Sequence, residues 1–441
     1  MDLGIINGYV YLEGRFIKSN LYIKNGVIES VTSSIMHCSK VYDAKGCIIM
    51  PGFIDPHVHF NLGVGKNVSA QDFHTGSINA ALGGITTYID FLDPINNISE
   101  LDFEFNKRKK QAEDSVIDYG FHVTLGSFKE DVKELFKKGR ALGMPTIKIF
   151  TTYESTGRMT KDNIIDELLK YSKEYECRVV VHAENNDLIK EKNILVKDHE
   201  KARPAIAEIS EVLKLCEMAA YRNGLLYIVH TNCGTTVERV RENFKDSLHS
   251  SIILESAPHY FKFNSSVYEG ENGYRYTMTP PLRAESERLK LKDNIDGIDI
   301  IGTDHCPFSE HMKNKKYTSD IAMGVDGVKY SFLNMYTLYK EKIIPKFIEN
   351  PAIIHGLYPK KGSLMVGSDG DIVVFDPNNT TIVNDKESIY DGQVLKGSIK
   401  AVFAKGNMIV NNNEFLKNSS SGSYIERRIE LDKSFNKCRY I

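Results

Sequence analysis

Two histidines separated by a single residue are the first candidates for chemistry in this chain. His57 and His59 lie at the end of PGFIDPHVH (51–59), where a turn leads into a short apolar strand. Side chains two positions apart on an extended chain point to the same side, so both imidazoles can bind one metal ion. Such a triplet also arises by chance, so the rest of the sequence decides its interpretation.

Three further apolar runs end in side chains that can bind metal. They are VVVHAEN (179–185) with His182, YIVH (227–230) with His230, and IIGTDH (300–305) with Asp304. A single histidine after an apolar strand is more often a hydrogen-bonded core residue. The carboxyl ends of parallel strands meet at one edge of a sheet, however, so four such ends predict a shared metal site.

Lys148 stands inside the apolar run Thr146-Ile147-Lys148-Ile149-Phe150. If the strand lies at the rim of the sheet, the ammonium reaches solvent or pairs with a carboxylate. If the strand is central, burial penalises the charged form by several kcal/mol and lowers the pKa of the amine. A neutral amine can react with carbon dioxide, and the resulting carbamate is an anionic bridge between two cations.

The elements that position these residues alternate between strands and helices. Eight candidate strands end near residues 55, 91, 124, 150, 182, 230, 255 and 302. Helical periodicity fills the intervals, as in 72–82, 131–142, 163–174, 205–222 and 235–244. This rhythm predicts an α/β fold, a (β/α)8 TIM barrel, whose chemistry lies at the carboxyl ends of the strands.

The two ends of the chain have a different character, with short strands separated by turn signals such as Asn7-Gly8 and Asn25-Gly26. Neither end alone has enough strands to bury a face, so they are expected to pair into one small β-sandwich domain. The predicted division is residues 1–50 and 363–441 for the sandwich and 51–362 for the barrel. The polar run 418–423 is interpreted as a loop or linker.

Composition excludes several classes of partner. The chain has 56 Lys+Arg and 58 Asp+Glu, so its charge does not indicate nucleic acid and favours a small-molecule substrate. It shows no signal peptide and no apolar run of membrane-spanning length, so we predict a cytoplasmic protein without a membrane partner. Seven scattered cysteines without a CxxC pair predict reduced thiols.

Ordered motifs along nearly the whole chain resemble those of one family. They are PGFIDPHVHF (51–60), DFHTGSINAALGGITTYIDF (72–91), IKIFTTY (147–153), VVVHAEN (179–185), ESAPHY (255–260), TPPLR (279–283), GTDHCPF (302–308) and NPAIIHGLYPKKGSLMVGSDGDIVVFDP (350–377). They resemble the cyclic amidohydrolases of the amidohydrolase superfamily, in the hydantoinase and dihydropyrimidinase branch. The resemblance implies hydrolysis of a cyclic ureide, a hydantoin or dihydropyrimidine ring, to an N-carbamoyl amino acid.

The same resemblance implies a binuclear centre with two divalent ions, zinc in the first instance, with manganese, iron or nickel as alternatives. His57, His59, carboxylated Lys148 (N6-carboxylysine) and Asp304 would bind the inner ion, and Lys148, His182 and His230 the outer one. A hydroxide bridging the ions would be the nucleophile, and Asp304 the general base and acid. The family also implies a homotetramer or a homodimer.

Further residues receive roles from the same resemblance. Tyr153, five residues after the lysine, is expected to stabilise the tetrahedral oxyanion and to bind substrate. Thr279 and Met323 occupy substrate-binding positions, where the family usually has serine and asparagine. Apart from the resemblance, Glu255 and His259 lie one strand over from the ligands and are expected to support them or to be structural. Cys306 is expected to pack without acting as a nucleophile, because the sequence shows no partner that would activate it.

Departures from the family pattern leave other activities open. Asp326 and Lys329 replace family residues after the last barrel strand and indicate a shifted substrate fit. Asn61 stands where dihydroorotases carry the arginine that binds a carboxylate, while Phe60-Asn61 is similar to allantoinases. Allantoinase is therefore the main alternative. A non-catalytic dihydropyrimidinase-related scaffold should lack ligands that are present here, and a mononuclear deaminase has no use for a bridging lysine.

Overall fold

The computed structural model describes residues 1–64, 67–190, 192–417 and 422–431. Its strands, in chain order, are β1 (Leu3–Leu12), β2 (Arg15–Lys24), β3 (Val27–Thr32), β4 (Lys40–Asp43), β5 (Ile48–Pro51), β6 (Phe53–Asp55), β7 (Gly63–Val64), β8 (Asn67–Val68), β9 (Ile85–Phe91), β10 (Asp118–Thr124), β11 (Thr146–Phe150), β12 (Arg178–His182), β13 (Leu226–Ile228), β14 (Ile252–Ser256), β15 (Ile300–Ile301), β16 (Ile372–Ile382), β17 (Val394–Ala404), β18 (Asn407–Asn411) and β19 (Glu414–Phe415).

The α-helices are α1 (Phe73–Leu82), α2 (Leu101–Gln111), α3 (Val132–Ala141), α4 (Asp162–Ser172), α5 (His199–Ala202), α6 (Ala205–Arg222), α7 (Gly234–Asn243), α8 (Pro258–Lys262), α9 (Glu285–Asp293), α10 (Glu310–Lys313), α11 (Ser331–Tyr339) and α12 (Glu349–Ile354). Short 3-10 helices cover Ile98–Glu100, Glu154–Thr156, Asn186–Leu188, Val196–Asp198, Ser265–Glu269, Gly273–Tyr276, Ile295–Gly297, Thr318–Asp320 and Lys340–Phe347. No helix in the described part of the chain is long and apolar enough to cross a bilayer.

Eight parallel strands form the predicted barrel, in the order β15-β14-β13-β12-β11-β10-β9-β6. The gap between its first and last strands is spanned by a bridge between Val58 and His305 and by the backbone bond His59 N to His305 O, 2.9 Å long. Helices follow the strands as the periodicity predicted, and α1 begins where the Asp72 carboxylate accepts a hydrogen bond from Thr75 N. The predicted barrel fold is confirmed.

The alternation of side chains along β11 puts Lys148 inside the barrel. Ile147 and Ile149 face outward into the core beneath the helices, so the residue between them must face inward. Lys148 pairs in register with Val180 of β12, which belongs to an interior cluster that also contains Tyr227, Ile253 and Ile300. The strand is therefore central, and the alternative of a rim strand is wrong.

The two ends of the chain form one separate, mostly antiparallel sheet of nine strands, as predicted. Its path runs β19-β18-β17-β16-β5-β1-β2-β3, with β4 paired to β1. Successive residues of β16 alternate between two cores: Ile372 and Val374 pack within the sheet domain, whereas Val373 and Phe375 pack against the barrel. The sheet thus has one face of its own and one shared with the barrel.

The last described segment, 422–431, returns to the amino-terminal end of the barrel. Tyr119 N donates to Ser423 O at 3.0 Å, Ile425 N donates to Tyr119 O at 2.8 Å, and Arg427 N donates to Gly143 O at 3.0 Å. Of the predicted loop 418–423, residues 418–421 lie outside the described residues, as does Cys438. The boundaries of the domains at 50/51 and 362/363 remain predictions.

Candidate metal centre

The six predicted metal-binding side chains lie at or near the carboxyl ends of five barrel strands. His57 and His59 follow β6, Lys148 lies within β11, His182 ends β12, His230 follows β13 and Asp304 follows β15. Ring centroids are 5.1 Å apart for His57 and His59, 5.5 Å for His57 and His230, and 4.6 Å for His182 and His230. The barrel therefore brings the four imidazoles to one place.

His57, His59 and Asp304 form the inner part of the cluster, and their ligand atoms all lie within 4.8 Å of one another. Asp304 Oδ1 is 3.2 Å from His57 Nε2 and 3.1 Å from His59 Nε2. Burial alone would raise the pKa of Asp304, but the two imidazoles hold it well below its ordinary range. Two imidazole nitrogens and one carboxylate oxygen make a donor set that divalent metals bind.

Lys148 is 2% exposed, and no hydrogen bond to its Nζ is found among the described residues. The ammonium lies 5.4 Å from the centroid of Phe91 and 5.1 Å from that of Phe150. Burial lowers the pKa of Lys148 from 10.5 to about 8, although Glu255 and Asp304 act in the opposite direction. A minor share of the amine is therefore neutral near physiological pH, far more than in a lysine with the ordinary pKa of 10.5.

His182 and His230 form the outer part of the cluster, with His182 Nδ1 2.9 Å from His230 Nε2. The other nitrogen of His182, Nε2, donates to Glu184 Oε2 at 2.8 Å. The proton therefore lies on Nε2, and Nδ1 presents its lone pair to the cluster. Burial lowers the pKa of His182 to about 4 and that of His230 well below 6.5, so both are neutral, as metal binding requires.

Carboxylates behind the histidines fix their orientation. His57 Nδ1 donates to Glu255 Oε1 at 2.7 Å, which leaves Nε2 for the cluster, and Glu255 also accepts from Tyr227 Oη at 2.6 Å. Burial lowers the pKa of His57, but Glu255 and Asp304 outweigh it and raise that pKa to about 9. This carboxylate–histidine arrangement is typical of metal sites. The predicted supporting role of Glu255 is consistent with this geometry.

Several supporting residues were missed from the sequence. Asp55 accepts from His57 N at 3.1 Å and from Thr303 Oγ1 at 2.6 Å, so one carboxylate ties the first barrel strand to the last. Glu184 supports His182, and its position two residues later in VVVHAEN was the available signal. At Gly302 a Cβ would lie 2.9 Å from His57 Cβ, so glycine permits this close approach.

Three of the predicted functional residues have left-handed backbone conformations. The φ angles are 67° at Tyr153, 39° at His230 and 50° at Asp304. Such values are uncommon for residues with side chains and persist where the surrounding structure enforces them. Regular strand geometry thus ends at the positions where side chains turn toward the cluster.

The three predicted substrate-binding residues differ in how they contact the histidine cluster. Tyr153 Oη donates to Thr279 Oγ1 at 3.1 Å, and the Tyr153 ring lies 5.2 Å from that of His182. Met323 is half-buried, and its neighbour Gly324 N donates to Thr277 O at 3.1 Å. Tyr153 and Thr279 are therefore in contact, and Met323 lies in a segment attached to the same loop.

The two departures after the last strand face another part of the molecule. Asp326 Oδ1 accepts from Ile389 N at 3.1 Å, and Lys329 Nζ lies 3.5 Å from Asp385 Oδ2. Both side chains thus contact the segment between β16 and β17. The structure gives no support for a direct effect of these two residues on substrate fit.

The protonation and burial of these side chains suit the binding of divalent ions. The neutral imidazoles of His182 and His230 face each other, and His59 Nδ1 is buried. Neither His59 Nδ1 nor the Nζ of buried Lys148 has a hydrogen-bond partner in the described part of the chain. Such an arrangement is costly in a purely structural core, because buried polar groups are normally paired. A parallel barrel with these side chains at its carboxyl rim defines the class of metal-dependent barrel enzymes.

Comparison with known proteins gives the family. Residues 48–409 match the Amidohydrolase family, and the chain belongs to it. The chain is 28% identical to the D-hydantoinase of Geobacillus stearothermophilus, over 96% of each chain. It is also 28% identical to a D-phenylhydantoinase of Escherichia coli O127:H6, over 97% of this chain and 98% of the relative.

Solved structures give the same result. The D-hydantoinase of Bacillus sp. AR9 superposes with a TM-score of 0.92 at 26% identity, over 97% of this chain and 100% of that one. The dihydropyrimidinase of Brevibacillus agri NCHU1002 gives a TM-score of 0.89 at 25% identity, over 97% and 99%. The predicted position in the hydantoinase and dihydropyrimidinase branch is confirmed, and divalent metal ions are implied by the family.

Proposed function

We propose that this protein hydrolyses the amide bond of a cyclic ureide, a ring of the hydantoin or dihydropyrimidine type, to give an N-carbamoyl amino acid. The observation that carries the proposal is the convergence of four imidazoles and Asp304 near Lys148, a buried amine whose Nζ has no hydrogen bond to any described residue. The names of the similar proteins agree with this reaction.

Six side chains would hold two divalent ions, and Lys148 would be a ligand in both sites once it is carboxylated. Neutral Lys148 Nζ would attack carbon dioxide and release a proton, leaving an N-carboxylate that replaces the buried positive charge with a negative one. His57, His59 and Asp304 would complete the inner site, and His182 and His230 the outer one. When bound, the ions would polarise the scissile carbonyl and lower the pKa of water.

Asp304 and Tyr153 are the proposed catalytic residues. Asp304 is ionised at neutral pH because His57 and His59 lower its pKa, so it can accept the proton of the attacking water. It would then deliver that proton to the ring nitrogen as the C–N bond breaks. Tyr153 Oη, which donates to Thr279 in this structure, would donate to the oxyanion of the tetrahedral intermediate. Thr279 and Met323 are the proposed substrate contacts.

A substrate panel tests this proposal. The protein is assayed with hydantoin, aryl-hydantoins, dihydrouracil, allantoin and dihydroorotate, with added zinc, manganese, iron or nickel and after chelation. We expect ring opening of a hydantoin or of dihydrouracil that chelation abolishes and metal restores. Turnover confined to allantoin or dihydroorotate would contradict the proposed ring, and a metal-loaded protein that opens none of them would contradict the reaction.

Three further parts of the proposal come from sequence and family resemblance. We propose zinc as the native metal, a homotetramer or homodimer as the assembly, and the cytoplasm as the location. The six cysteines among the described residues are all unpaired, which agrees with a reducing compartment. Metal analysis of protein purified without chelator and light scattering at several concentrations test the first two.

A further inference from the structure

Arg203 follows α5 and is buried at 6% exposure, with its guanidinium directed at Glu184. Nη2 donates to Glu184 Oε2 at 2.5 Å and Nε donates to Oε1 at 3.2 Å. Glu184 itself is 0% exposed. Two parallel hydrogen bonds to one carboxylate fix its plane as well as its position, which a single point charge cannot do.

The same carboxylate supports His182 of the outer site. Glu184 Oε2 accepts from His182 Nε2 at 2.8 Å, so it sets the tautomer that leaves His182 Nδ1 directed at His230. Thr151 Oγ1 donates to Glu184 O at 3.0 Å and restrains the backbone of the same residue. Arg203 is thus two contacts away from the nitrogen that would bind the outer ion.

The guanidinium of Arg203 also contacts Tyr153. Its Cζ atom lies 5.3 Å from the centroid of the Tyr153 ring, within the range of a cation–π interaction. Tyr153 is the residue with the left-handed backbone at the end of β11, and its hydroxyl contacts Thr279. The orientation of the phenol therefore depends on what packs against its ring. Arg203 is held from behind by Arg283 Nη1, which donates to Arg203 O.

We propose that Arg203 is a positioning residue that couples the outer metal ligand His182 to the oxyanion donor Tyr153. Through Glu184 it sets the direction of the His182 lone pair, and through its flat face it sets the direction of the Tyr153 hydroxyl. One planar cation in contact with Glu184 and with the Tyr153 ring thus fixes the position of the His182 ring relative to the Tyr153 hydroxyl. The inference rests on the proposed function for the roles of Tyr153 and His182, but not on which ring is hydrolysed.

The test compares Arg203→Lys with Arg178→Lys in the full-length protein. Lysine keeps the positive charge but cannot make the two parallel hydrogen bonds that the guanidinium makes to Glu184. Arg178 is also a buried arginine; it begins β12, the strand that ends at His182, and donates to backbone carbonyls. Metal-free protein is titrated with zinc against a competing chelator. We expect Arg203→Lys to lower the affinity for one of the two zinc ions by about 10–100-fold. Arg178→Lys should leave the affinity for both ions unchanged.

A double-mutant cycle tests the second part of the proposal, that Arg203 positions the Tyr153 hydroxyl. kcat/KM is measured at saturating zinc for the wild type, Arg203→Lys, Tyr153→Phe and the double variant. We expect the loss caused by Arg203→Lys to be smaller in the Tyr153→Phe background, because the phenol hydroxyl is then already absent. Unchanged zinc affinity at both sites would overturn the proposal, and so would additive losses in the cycle.

A second variant covers the case in which Arg203→Lys does not fold. Glu184→Gln keeps the shape of the carboxylate but removes the anion between Arg203 and His182. Its zinc titration should show the same loss of affinity for one of the two ions. An unchanged titration would overturn the proposal. Zinc titration requires no substrate, so a wild type that binds two ions and opens no cyclic ureide would contradict only the proposed function.

Discussion

Lys148→Met should stabilise the metal-free protein while abolishing its metal-dependent activity. The folded chain carries the Lys148 ammonium in the barrel interior, where burial lowers the pKa from 10.5 to about 8. At roughly 1.4 kcal/mol per pKa unit, this fall corresponds to about 3 kcal/mol of unfavourable free energy at pH 7. Methionine has a similar length and no charge, so it should recover most of that amount.

The stabilisation of Lys148→Met relative to the wild type should depend on pH. Below pH 8 the lysine is charged in both states, and the whole penalty opposes folding. Between about 8 and 10.5 the folded state has lost the proton and the unfolded state still binds it, so the stability of the wild type rises with pH. The advantage of Lys148→Met should therefore shrink to about 1 kcal/mol at pH 10.

Guanidinium unfolding of chelated protein in buffers free of carbon dioxide measures the difference between the two chains. Lys361→Met is the matched control, because Lys361 is also buried but lies 2.7, 2.8 and 2.5 Å from Asp118, Asp369 and Asp371. Its removal should cost about 3–5 kcal/mol, since it leaves buried carboxylates without their cation. If Lys148→Met were equally destabilising at pH 7, Lys148 would be a satisfied cation and the reasoning about its chemistry would be refuted.

Three further predictions concern the site. Glu255→Gln should lower metal affinity by about 10–100-fold, because His57 Nδ1 loses an anionic acceptor; chelator competition measures this, and unchanged affinity would contradict the role. Tyr153→Phe should lower kcat/KM by about 10²–10³ with metal content unchanged; steady-state kinetics with metal analysis would expose an indirect effect if metal were lost. Cys306→Ala should keep kcat near that of the wild type, because burial raises the pKa of the thiol and it packs against Phe308 and Ala322; loss of turnover in folded protein would assign it a catalytic role.

The parts of the fold that were predictable are those with strong local patterns. The apolar runs that became β11 and β12 have the predicted bounds at residues 146–150 and 178–182, and the periodic segment 205–222 became α6 with the same ends. Each of these elements is buried along a whole face, so its pattern of apolar residues is unambiguous. The run at 298–302 became only the two-residue β15, because Gly302 and the left-handed Asp304 end the regular strand.

The candidate site was predictable at its strand ends and not behind them. A strand end of known direction places its own side chain, which is how His182 and Asp304 could be assigned to one rim. Asp55 and Arg203 act through contacts with residues 248 and 19 positions away, to Thr303 and Glu184 respectively. Nothing in the local sequence specifies such partners, because they depend on how the barrel closes and on where the loop after β12 returns.

Lys148 and Lys361 show why burial in itself does not reveal chemistry. Both are 2% exposed, although only Lys148 lies in an apolar run of the sequence. Lys361 is surrounded by carboxylates from β10 and from the segment before β16, so its charge is compensated and its pKa is raised. Lys148 has aromatic neighbours, and burial lowers its pKa by more than Glu255 and Asp304 raise it, so its charge is not fully compensated. The function is therefore expected at Lys148, where the fold retains a reactive amine at an energetic cost.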